Sequence, residues 1–308
     1  MNKNIKHNII IINKSKDKAT FKKYRQTILN TVNKIAYVNF NSKLNIKIIV
    51  KDHSLKDKLT GDEFTDGYTI KKKNLFIITI MSDVLSRIKC EPDDNVDLDL
   101  TIYHEMTHVY DLCNIYNNKY YKFPNIYSNL KTITNYILKV GINFWTEIFA
   151  YSSTFKIYSC FYKSPTFLQL VKRWEEIEEN YKNLLIIEKT NHANLKVKGE
   201  EFFEKLKNFN YMLAKYLGAY IEGKTNKISY CEKTQSKKAF KFVDKLCKGV
   251  LRKVAPFYSN MYGKGMPQKI YNLGAFLITN VCVKPFNIIP EKRKGKVALV
   301  FYEVIKNV

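Results

Sequence analysis

The sequence predicts an α+β fold, in which a small sheet with its own helices is followed by a mainly α-helical region. Helix and strand patterns alternate through the first hundred residues, whereas the apolar residues beyond them recur mostly at helical spacing. Glycine and proline number only 11 and 7 among 308 residues, and no internal repeat or low-complexity linker is visible. With 45% hydrophobic residues the chain can bury a sizeable core, as one large domain or two smaller ones.

The elements of the first part follow from apolar spacing and turn residues. Apolar residues recur every three or four positions between Phe21 and Val38, which predicts an amphipathic helix. A β-branched run predicts a strand, and two apolar segments that flank a Lys-Lys-Lys-Asn turn predict a hairpin. Pro92 and the acidic residues after it suit the start of a helix. In chain order, the predicted elements are a helix over 19–38, a strand over 44–50, a hairpin of 68–70 with 75–81, a short helix over 82–88 and a helix over about 96–113.

The remainder of the chain is predicted to be almost entirely helical. Its apolar residues repeat with a helical period in six segments, and one segment near the C-terminus has the pattern of a strand. The predicted helices cover 127–140, 142–161, 165–187, 197–221, 236–254 and 268–281, and the predicted strand covers 297–305.

The formal net charge is +24, from 52 Lys and Arg against 28 Asp and Glu, and only five of the 52 are Arg. Lysine dominance beside abundant Asn, Ile and Tyr is typical of an AT-rich genome. A surplus of this size is also the electrostatic footprint of a protein that binds nucleic acid or another polyanion. We favour the first interpretation and keep the second as an alternative. The densest basic runs are 71–73, 237–241 and 292–296.

The six Cys are widely spaced and include no C-x-x-C pair, which predicts thiols rather than disulfides or a zinc cluster. The four Ile of segment 9–12 are too few for the hydrophobic core of a signal peptide. No stretch reaches the ~18 apolar residues of a transmembrane helix. We therefore expect a cytoplasmic protein without a membrane span, and keep export without a signal peptide and virion association as alternatives.

One motif lies inside the predicted helix 96–113. His104 and His108 enclose Glu105 in an H-E-x-x-H sequence. Two His four positions apart lie about 40° apart on one helix face, so both imidazoles can reach one ion. Glu105 lies beside that ion, where its carboxylate can take a proton from a bound water. The motif predicts a zinc site with Glu105 as the catalytic base; the alternative is an ordinary helix with two surface histidines.

The motif and the elements before it resemble the zincin metallopeptidases, in which an H-E-x-x-H helix follows a sheet whose edge strand aligns the substrate. The resemblance covers roughly residues 19–162. It implies a metallopeptidase core over 1–162 and leaves a mainly helical region of unassigned role over 163–308. It also implies that 75–81 is the edge strand, which would bind an extended peptide by β-augmentation.

The third zinc ligand distinguishes the kinds of zincin. A metzincin would need Gly at position 111 and His at 114, where this chain has Asp111 and Asn114. The gluzincin pattern supplies a Glu from a second helix downstream, followed by a small residue, and Glu147 with Ala150 matches that pattern. By this resemblance one Zn²⁺ per chain is bound by His104, His108 and Glu147.

Further residues are weaker candidates for a role in the zinc site. Asp111 returns to the helix face of His104 and is expected to orient a ligand imidazole; as the third ligand it is the lesser alternative. His192 and Tyr151 are alternatives for stabilising an oxyanion. Spartan-type peptidases, which act on proteins crosslinked to DNA, carry similar motifs with a third His, and His192 is the only downstream candidate for it.

These residues predict a zinc-dependent metallopeptidase that hydrolyses peptide bonds of a protein or peptide substrate. Two alternatives stay open. One is a basic nucleic-acid-binding or virion-associated protein without catalysis, and the other is a DNA-associated Spartan-like peptidase. In both alternatives the basic surface would bind nucleic acid.

Overall fold

A computed structural model describes residues 6–40, 42–53, 66–86, 96–125, 130–158, 164–190, 195–223, 236–259, 262–293 and 295–301. It has a small mixed sheet near the N-terminus and a mainly helical remainder, so the predicted α+β class is confirmed. The chain forms two compact units, residues 1–114 with 153–162 and residues 115–152 with 163–308. The predicted domain boundary at residue 162 stays a prediction.

The first unit is built on a four-stranded sheet with the strand order β1-β2-β4-β3. Strands β1, β2 and β4 are parallel, and β3 pairs antiparallel with β4. One row across the sheet aligns Ile11, Ile48, Ile78 and Thr69. The strands are β1 (Asn8–Lys14), β2 (Asn45–Lys51), β3 (Gly67–Lys72) and β4 (Leu75–Met81).

The predicted edge strand is wrong. Segment 75–81 is β4, which pairs with β2 on one side and β3 on the other and therefore lies inside the sheet. Its side chains agree with this position, since Phe76, Ile78 and Ile80 are buried and so is Thr79 between them. A nearly continuous apolar run is typical of a strand covered on both faces. The edge strand next to β4 is β3.

Three helices accompany this sheet, namely α1 (Lys18–Asn39), α2 (Ser82–Ser86) and α3 (Val96–Tyr116). The carboxylate of Asp17 caps α1 by accepting the backbone N–H of Thr20 at 2.9 Å. Helix α3 lies against α1, since Thr31 Oγ1 donates to Asp99 Oδ1 at 2.9 Å. The predicted apolar stripe of α3 is buried at Leu98, Ile102, Met106 and Val109.

The second unit is mainly helical. One helix, α4, contributes residues 133–152 to it and 153–158 to the first unit. None of the helices described here is long and apolar enough to cross a membrane. The elements are α4 (Ile133–Tyr158), α5 (Phe167–Thr190), α6 (Leu195–Ile221), α7 (Lys237–Ser259), α8 (Met266–Leu277), a π-helical segment (Ile278–Val283), the short α9 (Lys284–Phe286), and a hairpin of β5 (Ile288–Arg293) with β6 (Lys296–Phe301).

The core of this unit is rich in aromatic side chains. Trp174 of α5 is fully buried and stacks on Phe242 of α7, with ring centroids 4.1 Å apart. Phe209 of α6 and Phe286 of α9 contact the same indole at centroid distances of 5.1 and 5.3 Å. Four helices are thus joined through one buried tryptophan.

Two predictions of secondary structure in this part of the chain are wrong. The structure has the single helix α4 where helices over 127–140 and 142–161 were expected, because Gly141 continues the helix rather than ending it. Strand β5 was not predicted, because Pro290 and three charged residues take the place of the alternating apolar residues that are typical of a strand.

Candidate metal centre

The H-E-x-x-H residues lie in the middle of α3, and all three side chains of interest are buried. His104, Glu105 and His108 have relative exposures of 9%, 3% and 8%. Burial rules out the alternative of two ordinary surface histidines. A buried carboxylate beside two buried imidazoles is costly to maintain without a cation or hydrogen-bond donors to compensate it.

The two imidazoles converge on one point. Their Nε2 atoms lie 3.1 Å apart, and the ring planes stand at 84° to each other. Two nitrogens bound to one tetrahedral zinc at ~2.0–2.1 Å would lie roughly 3.3 Å apart. The ligand atoms of His104, Glu105 and His108 all lie within 4.8 Å of one another. Among the residues that the structure describes, this is the only group of three such side chains spaced to hold a metal ion.

The Glu105 carboxylate is held by the edge strand of the sheet. Thr69, in the middle of β3, donates its hydroxyl hydrogen to Glu105 Oε2 at 2.6 Å, and the same hydroxyl lies 3.2 Å from the Glu105 backbone carbonyl. Hydrogen bonds to an ionised acceptor are short and strong. Thr69 therefore fixes the orientation of the carboxylate next to the two imidazoles. No motif in the sequence pointed to Thr69, because it lies 36 residues before Glu105 on another element.

A glycine allows β3 to approach α3 this closely. A Cβ atom on Gly67 would lie 2.8 Å from the Thr79 carbonyl oxygen, 3.2 Å from Thr101 Cγ2 and 3.3 Å from Glu105 Cγ. Any larger residue would push the strand away from the helix or distort its pairing with β4. Gly67 is the first residue of β3.

Glu147, the predicted third ligand, lies on α4 in the part of that helix that belongs to the second unit. Its side chain is half-buried, and the neighbouring Phe144, Ile148 and Ala150 are buried. The apolar surroundings expected for Glu147 are thus present on its own helix. Its role as a ligand stays a prediction.

The remaining candidates differ in how far the structure describes them. Asp111 is fully buried on α3, one turn after His108, and its role as an orienting residue stays a prediction. Tyr151 is half-buried on α4, with Lys215 Nζ 5.7 Å from its ring centroid. His192 lies outside the described residues, so the Spartan-like alternative is untested.

Three cysteines fall in the described part of the chain, and all three are free thiols as predicted. Cys113, on α3 beyond the motif, is half-buried, and burial raises its pKa to about 11. Cys247 and Cys282 are buried in the second unit. The metal group of His104, Glu105 and His108 offers nitrogen and oxygen donors and includes none of these thiols.

Comparison of the chain with protein-family models, with curated proteins and with solved structures finds no match.

Proposed function

We propose that this protein is a zinc-dependent metallopeptidase in which His104 and His108 bind the metal and Glu105 is the general base. The observation that carries the proposal is the buried group itself, with two imidazole nitrogens 3.1 Å apart and a carboxylate beside them. Imidazole and carboxylate are the donors found in catalytic zinc sites with an open coordination position. Glu147 is our candidate for the third ligand.

A zinc ion bound by these residues would lower the pKa of a water molecule and polarise the carbonyl of the scissile peptide bond. Glu105 would accept the proton of the attacking water and pass it to the nitrogen of the leaving amine. The hydrogen bond from Thr69 keeps the Glu105 carboxylate in one orientation for both transfers. His104 and His108 must be neutral to bind the metal, so metal binding releases protons and weakens as the pH falls.

The sheet suggests where the substrate would bind. Among the described residues the strand that pairs with β3 is β4, and we place an extended substrate peptide along the other side of β3. Thr69 places that strand directly against Glu105. A peptide added to the outer edge of β3 would therefore run past the base. We therefore assign to β3 the peptide-binding role that the resemblance implied for 75–81.

The proposal is tested with Glu105→Gln. We expect the variant to keep its zinc and to lose hydrolysis by about 10²- to 10⁴-fold, because glutamine cannot take up the proton of the water. Wild type and variant are loaded with zinc and incubated with a peptide library of broad composition, and new N-termini are identified by mass spectrometry. New termini made by wild type only, with equal zinc in both proteins, support the assignment.

Glu179→Gln is a matched control, because it makes the same chemical change on α5 at a side chain that is 63% exposed. It should cleave like wild type. Equal cleavage by Glu105→Gln and wild type would remove Glu105 from the reaction. Absence of cleavage by zinc-loaded wild type across the library would contradict a general peptidase activity.

The third ligand has its own prediction. If Glu147 binds zinc, Glu147→Ala should lower zinc affinity more than Asp111→Asn, which should cost about 10- to 100-fold as the loss of an orienting partner. Competition with a zinc chelator at fixed pH measures both affinities. The reverse order would identify Asp111 as the ligand and reject Glu147.

A further inference from the structure

Helix α7 carries a concentration of positive charge on its exposed side. Its 23 residues include seven cations and one carboxylate, Asp244. All seven cations are solvent-exposed. They are Lys237, Lys238, Lys241, Lys245, Lys248, Arg252 and Lys253.

Five of these cations form one line along the helix. They follow each other at intervals of four, four, three and four residues, and such intervals keep side chains on one helix face. The line runs from Lys237 to Arg252, which at 1.5 Å per residue is roughly 22 Å. We call these five residues, Lys237, Lys241, Lys245, Lys248 and Arg252, the basic stripe.

Few carboxylates in the described part of the chain pair with the basic stripe. On the neighbouring helices several cations pair with a carboxylate one turn away, among them Arg173 with Glu176 at 2.7 Å on α5 and Lys198 with Glu201 at 2.9 Å on α6. In the stripe, Lys248 pairs with Asp244 at 2.6 Å. Within the part of the chain that the structure describes, the other three lysines of the stripe have no ion pair.

The opposite face of α7 is occupied by the core of its own unit. Val243, Val250, Val254 and Phe257 are at most 1% exposed. The helix therefore cannot turn its apolar face into a lipid bilayer, as an interfacial amphipathic helix does. None of the large exposed apolar side chains of the described residues lies on α7. A membrane surface would thus contact the charged side chains of α7, and no large apolar side chain would be exposed there to enter the lipid.

The described part of the exposed side of α7 also lacks aromatic rings on which unpaired bases could stack. Proteins that bind single strands stack bases on exposed aromatic rings. Among the exposed residues of α7 that the structure describes, none is aromatic, and Phe242 is stacked on Trp174 instead. Duplex nucleic acid, by contrast, offers about one phosphate charge per 1.7 Å along its axis, so a line of cations meets many phosphates.

We infer that the basic stripe of α7 binds the phosphate backbone of double-stranded nucleic acid without selecting a base sequence. The inference is independent of the metal site, since it rests on a helix of the second unit and on charge alone. On this inference, only the part of the net charge of +24 that lies in the basic stripe binds nucleic acid. The rest follows from the amino-acid composition of the chain.

The test uses the full-length protein and a fluorescent 20-base-pair DNA duplex, with affinity measured by anisotropy from 50 to 300 mM KCl. One variant carries Lys237→Gln, Lys241→Gln and Lys245→Gln. The matched control carries Lys34→Gln, Lys122→Gln and Lys131→Gln, which removes the same charge from exposed positions outside α7. All six side chains are exposed, so both variants should fold, and circular dichroism checks this.

We expect wild type to bind with a steep salt dependence. Loss of three phosphate contacts should make the slope of log K against log salt shallower by about 2.7 and weaken binding at least about tenfold at 100 mM salt. The control should bind nearly like wild type, and a duplex of different sequence should bind equally well.

Three results would overturn the inference. Equal weakening in both variants would mean that overall charge, and not the stripe, binds the duplex. Absence of wild-type binding at 50 mM KCl would exclude a duplex ligand. Tighter binding to vesicles that contain phosphatidylserine than to the duplex, with the stripe variant defective, would assign the stripe to a membrane surface.

Discussion

Thr69 and Glu105 form the contact on which the orientation of the proposed base depends. A hydroxyl donor held 2.6 Å from a buried carboxylate oxygen fixes the orientation of that carboxylate. Hydrogen bonds to charged groups contribute about 1.5–3 kcal/mol, which corresponds to roughly 10- to 100-fold in a rate or an equilibrium. Thr69 is therefore a positioning residue that acts through Glu105.

Thr69→Val tests this contact, because valine keeps the branched shape and removes the donor. We expect kcat to fall about 10- to 100-fold with little change in KM or zinc content. Thr69→Ser restores the hydroxyl and should recover most of the rate, which a purely structural role for the side chain would not explain. Steady-state kinetics on a cleaved library peptide measures this. Equal rates for Thr69→Val and wild type would show that the contact is dispensable.

Helical spacing was sufficient to predict that His104, Glu105 and His108 come together, because all three lie within five consecutive residues of one helix. The contribution of Thr69 could not be predicted in this way. It depends on the pairing of β3 at the sheet edge and on the close approach of that strand at Gly67. Contacts between elements carry no periodic signal in a single sequence.

At the scale of elements, α4 and α8 cross where two glycines meet. A Cβ atom on Gly141 would lie 2.2 Å from the Ile270 carbonyl oxygen, and one on Gly274 would lie 2.1 Å from the Ile137 carbonyl oxygen. Both distances are far below van der Waals contact with backbone atoms that cannot rotate away. The crossing therefore requires the absence of a side chain on both helices.

We expect Gly141→Ala and Gly274→Ala each to destabilise the protein by about 1–3 kcal/mol, because the helices must move apart. Gly199→Ala on α6 is the control, since a Cβ there has no atom within 4 Å and should stabilise its helix by up to about 1 kcal/mol. Urea denaturation midpoints compare the three. Stabilisation by Gly141→Ala would mean that the helices do not cross at these glycines.

The elements predicted well are the long amphipathic helices, since burial of one face imposes a repeating pattern. The same reasoning predicts two helices on either side of Gly141, whereas this glycine lies inside α4 and allows close packing against α8. Strand β1 was missed for a different reason. Its four consecutive Ile show neither a helical period nor alternation, although they pair in parallel with β2.

At the scale of the whole molecule, stability should depend on alkaline pH through buried acids. Burial raises the pKa of Cys247 and of Cys282 to about 12, from an ordinary value of 9.0. Between these values the unfolded chain loses protons that the folded protein keeps, so the free energy of unfolding falls as pH rises. Below pH 9 both states keep the protons and the effect is absent. The slope is at most about 1.4 kcal/mol per pH unit for each thiol.

Urea denaturation at pH 8, 9.5 and 11 measures this effect. Lysines also titrate in this range, so the comparison is between wild type and Cys282→Ala, which lacks one of the thiols. We expect the midpoint of the variant to fall less steeply with pH than that of wild type. Parallel lines would show that the Cys282 thiol ionises equally in both states.

The most direct test of the metal site is the zinc content of the purified full-length chain after zinc loading and exhaustive dialysis, measured by inductively coupled plasma mass spectrometry. We predict about one zinc per chain in wild type and in the control His7→Ala, whose imidazole lies outside the metal group, and less than about a tenth of that in His108→Ala. Wild type without zinc, or His108→Ala with a full complement, would contradict the site and the function proposed from it.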